Sequence, residues 1–125
     1  MQLKELYFSP KGRINRQKFF LGGLCVGIVG YIIIMLISTI LIELGFFLDM
    51  VEIFIIISCI LNFCLYVIFI YAMTILQIKC WHDLDKSGWY VLLGYIPIAN
   101  LITAIYLLFV KGTDGSNNFG EDPLK

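Results

Sequence analysis

Charged side chains are scarce in this chain. Asp, Glu, Lys and Arg make up 14% of its 125 residues, where a soluble domain carries roughly 25%. Hydrophobic residues make up 60%, and the mean hydropathy is +0.91. A soluble fold this short cannot hide so much apolar surface in one core, so lipid has to be the solvent for most of it. The net charge is zero, which removes the basic footprint of a nucleic-acid binder. Proline is rare, and of Pro10, Pro97 and Pro123 only Pro97 falls inside an apolar run. The cysteines Cys25, Cys59, Cys64 and Cys80 include no C-x-x-C pair, and the first three lie in apolar runs. Neither a disulfide framework nor a zinc knuckle is expected. Cys80, His82 and Asp83 could offer metal donors, but so few donors in one short loop read better as a polar connection. No metal or cofactor is expected.

What is present is three long runs free of Asp, Glu, Lys, Arg and His: Phe19–Ile42, Ile53–Ile78 and Trp89–Val110. A helix needs about 20 residues to span the hydrocarbon core. The first run is too long for a signal-peptide core and lacks a small-residue cleavage site. The sequence therefore predicts an all-α integral membrane protein, a single membrane domain over residues 1–125. It is a small bundle of three transmembrane helices, approximately 19–42, 53–78 and 89–110, with a polar tail at 111–125. Pro97 removes an amide hydrogen in the third run and frees the Leu93 carbonyl. That helix is read as kinked there, with a re-entrant pair of half-helices as the other possibility.

The first helix has a legible start. Asn15 suits an N-cap, and Ile14 and Phe19 occupy the staple positions around it. Lys11, Arg13, Arg16 and Lys18 cluster just before and within its first turn. They are read as setting topology or meeting lipid head groups. With three crossings, the N-terminal segment and the 79–88 loop share one side. Seven Lys and Arg then face two on the other side. The positive-inside rule places the N-terminus in the cytoplasm and the tail outside.

Small and polar residues within the runs bear on helix packing. Gly23, Gly27 and Gly30 share one helical face, and Gly23-x-x-x-Gly27 is a spacing that lets backbones approach. Packing within the chain is preferred to a homodimer contact. Ser58, Asn62, Tyr66, Met73 and Gln77 form a polar stripe on the second helix. Asn62 and Asn100 fall at similar depth and are expected to face each other, or to meet through the carbonyl freed by Pro97. No Asp, Glu, Lys, Arg or His lies within the three runs, which counts against a proton-coupled transporter.

Three polar blocks remain: Phe8-Ser-Pro-Lys-Gly-Arg-Ile-Asn-Arg16, Trp81-His-Asp-Leu-Asp-Lys-Ser-Gly-Trp89 and Gly112-Thr-Asp-Gly-Ser-Asn-Asn-Phe-Gly-Glu-Asp-Pro123. Together they resemble a family of small bacterial inner-membrane proteins catalogued as domain of unknown function 805. The matching residues are Phe8, Lys11, Gly12, Arg13, Ile14 and Arg16, then His82, Asp83, Lys86, Ser87, Gly88 and Trp89. In the tail they are Gly112, Thr113, Gly115, Asn117, Phe119, Gly120, Asp122 and Pro123. Lys79, Cys80 and Trp81 stand where the family has Arg-Arg-Leu, and Asp85 stands where it usually has Gly. The resemblance implies a bacterial inner membrane and no established activity.

His82 beside Asp83, with Lys86 and Ser87, invites an acid/base reading. Adjacent residues rarely aim at one reacting atom, however, so no catalytic residue is assigned. The expected role is a non-enzymatic structural or protein-interaction module. Its partners would be membrane lipids, with homo-oligomers or other membrane proteins, and no nucleic acid. An oligomeric channel or transport accessory is the alternative, and a lipid head-group enzyme using His82 and Asp83 is a weaker one.

Overall fold

The computed structural model describes residues 2–123. In chain order it contains α1 (Leu3–Phe8), α2 (Arg16–Phe47), α3 (Val51–Asp83), a 3-10 helix (Gly88–Tyr95) and α4 (Pro97–Phe109). α2 and α3 run 32 and 33 residues, or roughly 48–50 Å at 1.5 Å per residue, more than the hydrocarbon core requires. α2 starts where its cap predicts. Asn15 Oδ1 accepts the Lys18 amide at 2.9 Å, and Ile14 and Phe19 are both buried. The cap and the staple thus set both the start of the helix and the angle at which the chain enters it.

The third run departs from expectation. It is not one spanning helix. Pro97 pushes the preceding residue out of helical conformation, and Ile96 is extended with φ −95° and ψ 123°. Pro97 then takes the first position of α4, where its missing N–H costs nothing. α4 has 13 residues, about 20 Å, too short to cross alone. The Leu93 carbonyl, expected to be freed, accepts the Ile96 amide at 3.3 Å.

Contacts divide the chain into two compact units, Cys25–Tyr71 and Met1–Leu24 with Ala72–Lys125. The first is a helical hairpin. Its turn is closed by the Leu48, Asp49 and Met50 amides donating to the Leu44, Phe46 and Gly45 carbonyls, with Asp49 left-handed at φ 54°. A Cβ on Gly45 would lie 2.9 Å from Phe54 Cβ, so the helices touch there through a missing side chain. By contrast, a Cβ on Gly27 meets nothing within 4 Å. Gly45→Leu is therefore expected to lower the stability of the detergent-solubilised protein by about 1–3 kcal/mol. Gly27→Leu should stay within about 0.5 kcal/mol of the parent. Thermal denaturation compares them, and equal midpoints would refute the close approach.

Asn62 finds its partner inside the hairpin. Its Nδ2 donates to Ser38 Oγ at 2.8 Å and to Ser58 Oγ at 3.4 Å. Depth had pointed to Asn100 as a partner, and the Asn62 amide donor is taken by these serines; Asn100 lies exposed on α4.

In the second unit, Ile14, Phe19, Leu76, Cys80, Trp81, Val91 and Leu107 form the buried core. Trp81 packs between Tyr90 and Tyr106, with centroids 5.2 and 5.6 Å away. A Cβ on Gly23 would touch Met73 at 3.3 Å. In the hairpin, one on Gly30 would touch Phe69 at 3.6 Å.

Both ends of the 88–110 segment lie beside the end of α3. Its start follows Asp83 by a few residues, and beyond its end the Thr113 amide donates to the Asp83 carbonyl at 2.7 Å. The tail therefore packs beside the end of α3 and against Arg13, an arrangement that the re-entrant possibility for the third run allows.

Candidate functional site

The site is built where the three polar blocks meet, and Arg13 is its centre. A guanidinium has five N–H donors in a fixed fork, and all five are used. Nε and Nη2 donate to Asp83 Oδ1 at 3.2 and 3.0 Å. Nη2 also donates to the Thr113 carbonyl at 2.7 Å. Nη1 donates to the carbonyls of Gly115 and Gly120 at 2.6 and 3.3 Å. The Arg13 side chain is 1% exposed and that of Asp83 9%. Arg13 was grouped by sequence with the lipid-facing cations. It is buried and spent on protein, while Lys11, Arg16 and Lys18 are exposed. Arg16 Nη1 donates to the Phe109 carbonyl at 3.0 Å, placing a cation at the C-terminal end of α4, where the helix dipole favours one.

The tail has the shape this centre needs. Gly115 and Gly120 adopt φ 76° and 142°, which side chains with a Cβ rarely adopt. Asn117 and Gly120 exchange backbone hydrogen bonds at 3.0 and 3.2 Å. Asp122 Oδ2 accepts the Gly115 amide at 3.0 Å. A Cβ added to Gly112 would overlap the Asp83 carboxylate. Pro123 is the last described residue.

His82 anchors the opposite edge of the tail. Its Nδ1 lies 3.0 Å from the Gly12 carbonyl, its ring stacks on Phe119 at 4.1 Å and 4°, and its own carbonyl accepts from Asn117 Nδ2 at 2.9 Å. The helix end beside it is closed by Asp85 at φ 56°, with Lys86 N–H donating to the Trp81 carbonyl at 3.0 Å. Asp85 also accepts the Asn118 amide at 3.2 Å. Ser87 Oγ accepts the Trp89 amide at 3.4 Å and caps the 3-10 helix. Lys86 Nζ lies 5.6 Å from the Tyr90 ring centre, and Trp89 is exposed.

His82, Asp83 and Cys80 therefore face three different sets of partners. Burial pushes the Cys80 thiol up to about 12, with the nearby Asp83 charge adding to it, and its Sγ points at the Leu107 carbonyl. Such a thiol is a poor nucleophile and a poor metal ligand at neutral pH. Burial lifts the Asp83 carboxyl above its ordinary range, against the pull of Arg13.

Burial also holds His82 below its ordinary 6.5, opposed by the Gly12 hydrogen bond. On acidification the unfolded chain then takes the proton first. The stability from a neutral His82 is complete above about 6.5 and is lost as the pH falls from there towards the folded-state value. Melting midpoints in detergent should fall between pH 7 and pH 5 by an amount that shrinks in His82→Asn. An equal fall in both proteins would refute this.

Two hollows adjoin the centre. One, about 200 Å³, is lined by Asn15, Arg16, Asp83, Lys111, Gly112 and Asp122, among others. Its charges are already engaged, as with Lys111 on Asp114 at 2.8 Å. The other is an open groove of about 420 Å³ whose wall is mostly apolar and includes His82 and Ser87.

Residues 7–121 match the family described as "Protein of unknown function (DUF805)". The chain belongs to that family. All three blocks that converge on Arg13 fall within or at the edge of the matched region. The chain is 28% identical over 117 residues to the inner membrane protein YhaI of Escherichia coli K12, covering 94% of this chain and 87% of that protein. It is 40% identical over 47 residues to the inner membrane protein YhaH of the same strain, covering 38% and 39%. No solved structure matches. This DUF805 chain is thus an all-α transmembrane protein with two long apolar helices and a shorter one.

At the departures from the family pattern, the geometry supplies reasons. Lys79 Nζ, fully buried, donates to the carbonyls of Glu5 and Leu6 and so ties α1 to the end of α3. Burial lowers its pKa, with Glu5 opposing. Trp81 fills the aromatic core. Asp85 holds a left-handed helix-end position, which is where glycine is commonest.

Proposed function

We propose that this chain is a non-enzymatic inner-membrane protein, a structural or interaction module built as one membrane domain. Its N-terminus, the end of α3 with the turn that follows it, and the tail form a single cytoplasmic cap. The observation that carries this reading is the Arg13 centre, which joins all three polar blocks on one side. With that arrangement, every Lys and Arg through residue 123 falls on the cap side. The 43–52 link carries Glu43, Asp49 and Glu52 and no base. The positive-inside rule favours this orientation more strongly than it favoured three crossings. The 88–110 segment then enters the membrane and returns. Lys11, Arg16 and Lys18 lie at head-group level, where each contributes about 1 kcal/mol of attraction to an anionic surface. His82 and Asp83 are committed to different partners and share no reacting atom, which supports a non-catalytic role.

Single cysteines in a background lacking the native ones test the topology. In intact cells an impermeant maleimide should label Asp49→Cys. Lys4→Cys and Ser116→Cys should label only after permeabilisation. Labelling of Ser116→Cys in intact cells would overturn the shared cap. Crosslinking and co-purification of the tagged protein from native membranes test the interaction role. Recovery of a monomer with no protein partner would count against it.

A further inference from the structure

The groove beside His82 has a feature that the cap does not use. The Gly12 carbonyl can only accept, so His82 Nδ1 is the nitrogen that carries the hydrogen. In the neutral ring Nε2 is then a bare acceptor. It has no hydrogen-bond partner among the described residues, and it is not sealed in. A Cβ on residue 88 would stand 3.3 Å from Nε2, so Gly88 leaves the space in front of it open. The rest of the wall includes Pro10, Ile78, Val91, Leu92 and Trp89. Ile78 ends the apolar run of α3, and Trp89 is 78% exposed at the start of the next one, as befits an interfacial aromatic. The groove thus opens where apolar protein surface gives way to the polar cap, and one hydrogen-bond acceptor sits at its polar end.

An occupant should be apolar along its length and carry a hydrogen-bond donor at its head. We propose that the groove holds a phosphatidylethanolamine molecule of the surrounding membrane. Its acyl chain lies along Ile78, Val91 and Leu92, and its ammonium donates to His82 Nε2. A phosphatidylcholine with the same chains has no N–H and cannot make this bond. An ammonium is preferred to the hydroxyls of phosphatidylglycerol because a charged donor makes the stronger hydrogen bond. The face-to-face stack on Phe119 holds the ring plane, and the Gly12 bond holds the tautomer, so the acceptor is fixed before the lipid arrives. The proposal requires the end of α3 and the turn after it to lie at a membrane surface. It does not require that surface to be the cytoplasmic one, so it can fail while the topology stands, and the reverse.

The test is native mass spectrometry of the full chain released from mixed micelles. These contain equal amounts of phosphatidylethanolamine and phosphatidylcholine with identical acyl chains, and in a second arm phosphatidylethanolamine and phosphatidylglycerol. The wild type should retain phosphatidylethanolamine over phosphatidylcholine by about fivefold, the worth of one hydrogen bond. His82→Asn keeps a donor near the position of Nδ1 and removes the groove acceptor, so it should bind the two equally. Leu92→Trp, which fills the groove, should lose both adducts. Equal retention by the wild type would overturn the proposal without any variant being needed. So would a preference that survives in a folded His82→Asn protein, or retention of phosphatidylglycerol ahead of phosphatidylethanolamine.

Discussion

Replacing Arg13 by methionine should release the tail from the cap and destabilise the protein by about 3–5 kcal/mol, the cost of stranding one member of a buried ion pair. Methionine fills much of the arginine's volume, so the effect reads lost hydrogen bonds and charge, not a cavity. Five donor contacts disappear together. The Asp83 carboxylate is left buried without its cation, and the Thr113, Gly115 and Gly120 carbonyls lose their donor. Arg13→Lys keeps the charge but has three donors on a flexible stem. It should recover part of the loss and not all of it. Asp83→Asn in the Arg13→Met background removes the stranded carboxylate, so the double variant should be less damaged than the two single losses added together. The readouts are thermal denaturation in detergent and proteolysis of the tail, with helical content unchanged by circular dichroism. A tail that stays protected in Arg13→Met, with a midpoint within about 0.5 kcal/mol of the parent, would remove Arg13 from the centre of the cap.

Why the sequence showed the helices but not this centre follows from the range over which each signal acts. Asn15, Ile14 and Phe19 act within one helical turn, so the start of α2 could be read directly. The uncharged runs 19–42 and 53–78 likewise showed where α2 and α3 lie, although the helices extend beyond them, to Arg16–Phe47 and Val51–Asp83. Pro97 was visible too, but its consequence was not. The same apolar composition serves a kinked span, a half-membrane hairpin or a 3-10 turn, and periodicity does not separate them. What decides among them is where the tail ends up, and that depends on Arg13 reaching Thr113, Gly115 and Gly120 across about a hundred positions of sequence. An arginine in a basic cluster reads the same whether it faces lipid or is buried. The tail glycines held the best clue. Gly112, Gly115 and Gly120 entered only as matches to the family pattern, yet one is needed for space and two for their left-handed φ angles. The pairing of Asn62 with Ser38 was missed because depth along a helix was used without rotation about it. Depth left several partners open, and the facing helix of the same hairpin supplied the nearest.

Substituting Gly112 should damage the cap more sharply than any other single change in the tail. Its φ is not in the left-handed range, so the backbone itself would accept another residue. The obstacle is space, since a Cβ there overlaps the Asp83 carboxylate. That carboxylate cannot yield easily. Arg13 grips its Oδ1 through two donors, and the Asp83 backbone carbonyl is held by the Thr113 amide one residue along. Relief therefore means moving Gly112 away, and this pulls the Thr113 carbonyl off Arg13 as well. Overpacking a tight site typically costs 1–3 kcal/mol. Here one Arg13 hydrogen bond is weakened as well, so Gly112→Ala is expected to cost about 2–4 kcal/mol in all. Gly115→Ala meets nothing within 4 Å and suffers only the left-handed backbone penalty, about 1–2 kcal/mol. The order of the two variants is thus opposite to that expected if backbone conformation alone decided. Asp83→Ala in the Gly112→Ala protein supplies the check, because removing the carboxylate removes the clash. In that background the added cost of the alanine at position 112 should fall to less than half. Should Gly112→Ala prove milder than Gly115→Ala, or its cost persist undiminished without the Asp83 side chain, the contact between tail and helix end would not be the one that holds the cap closed.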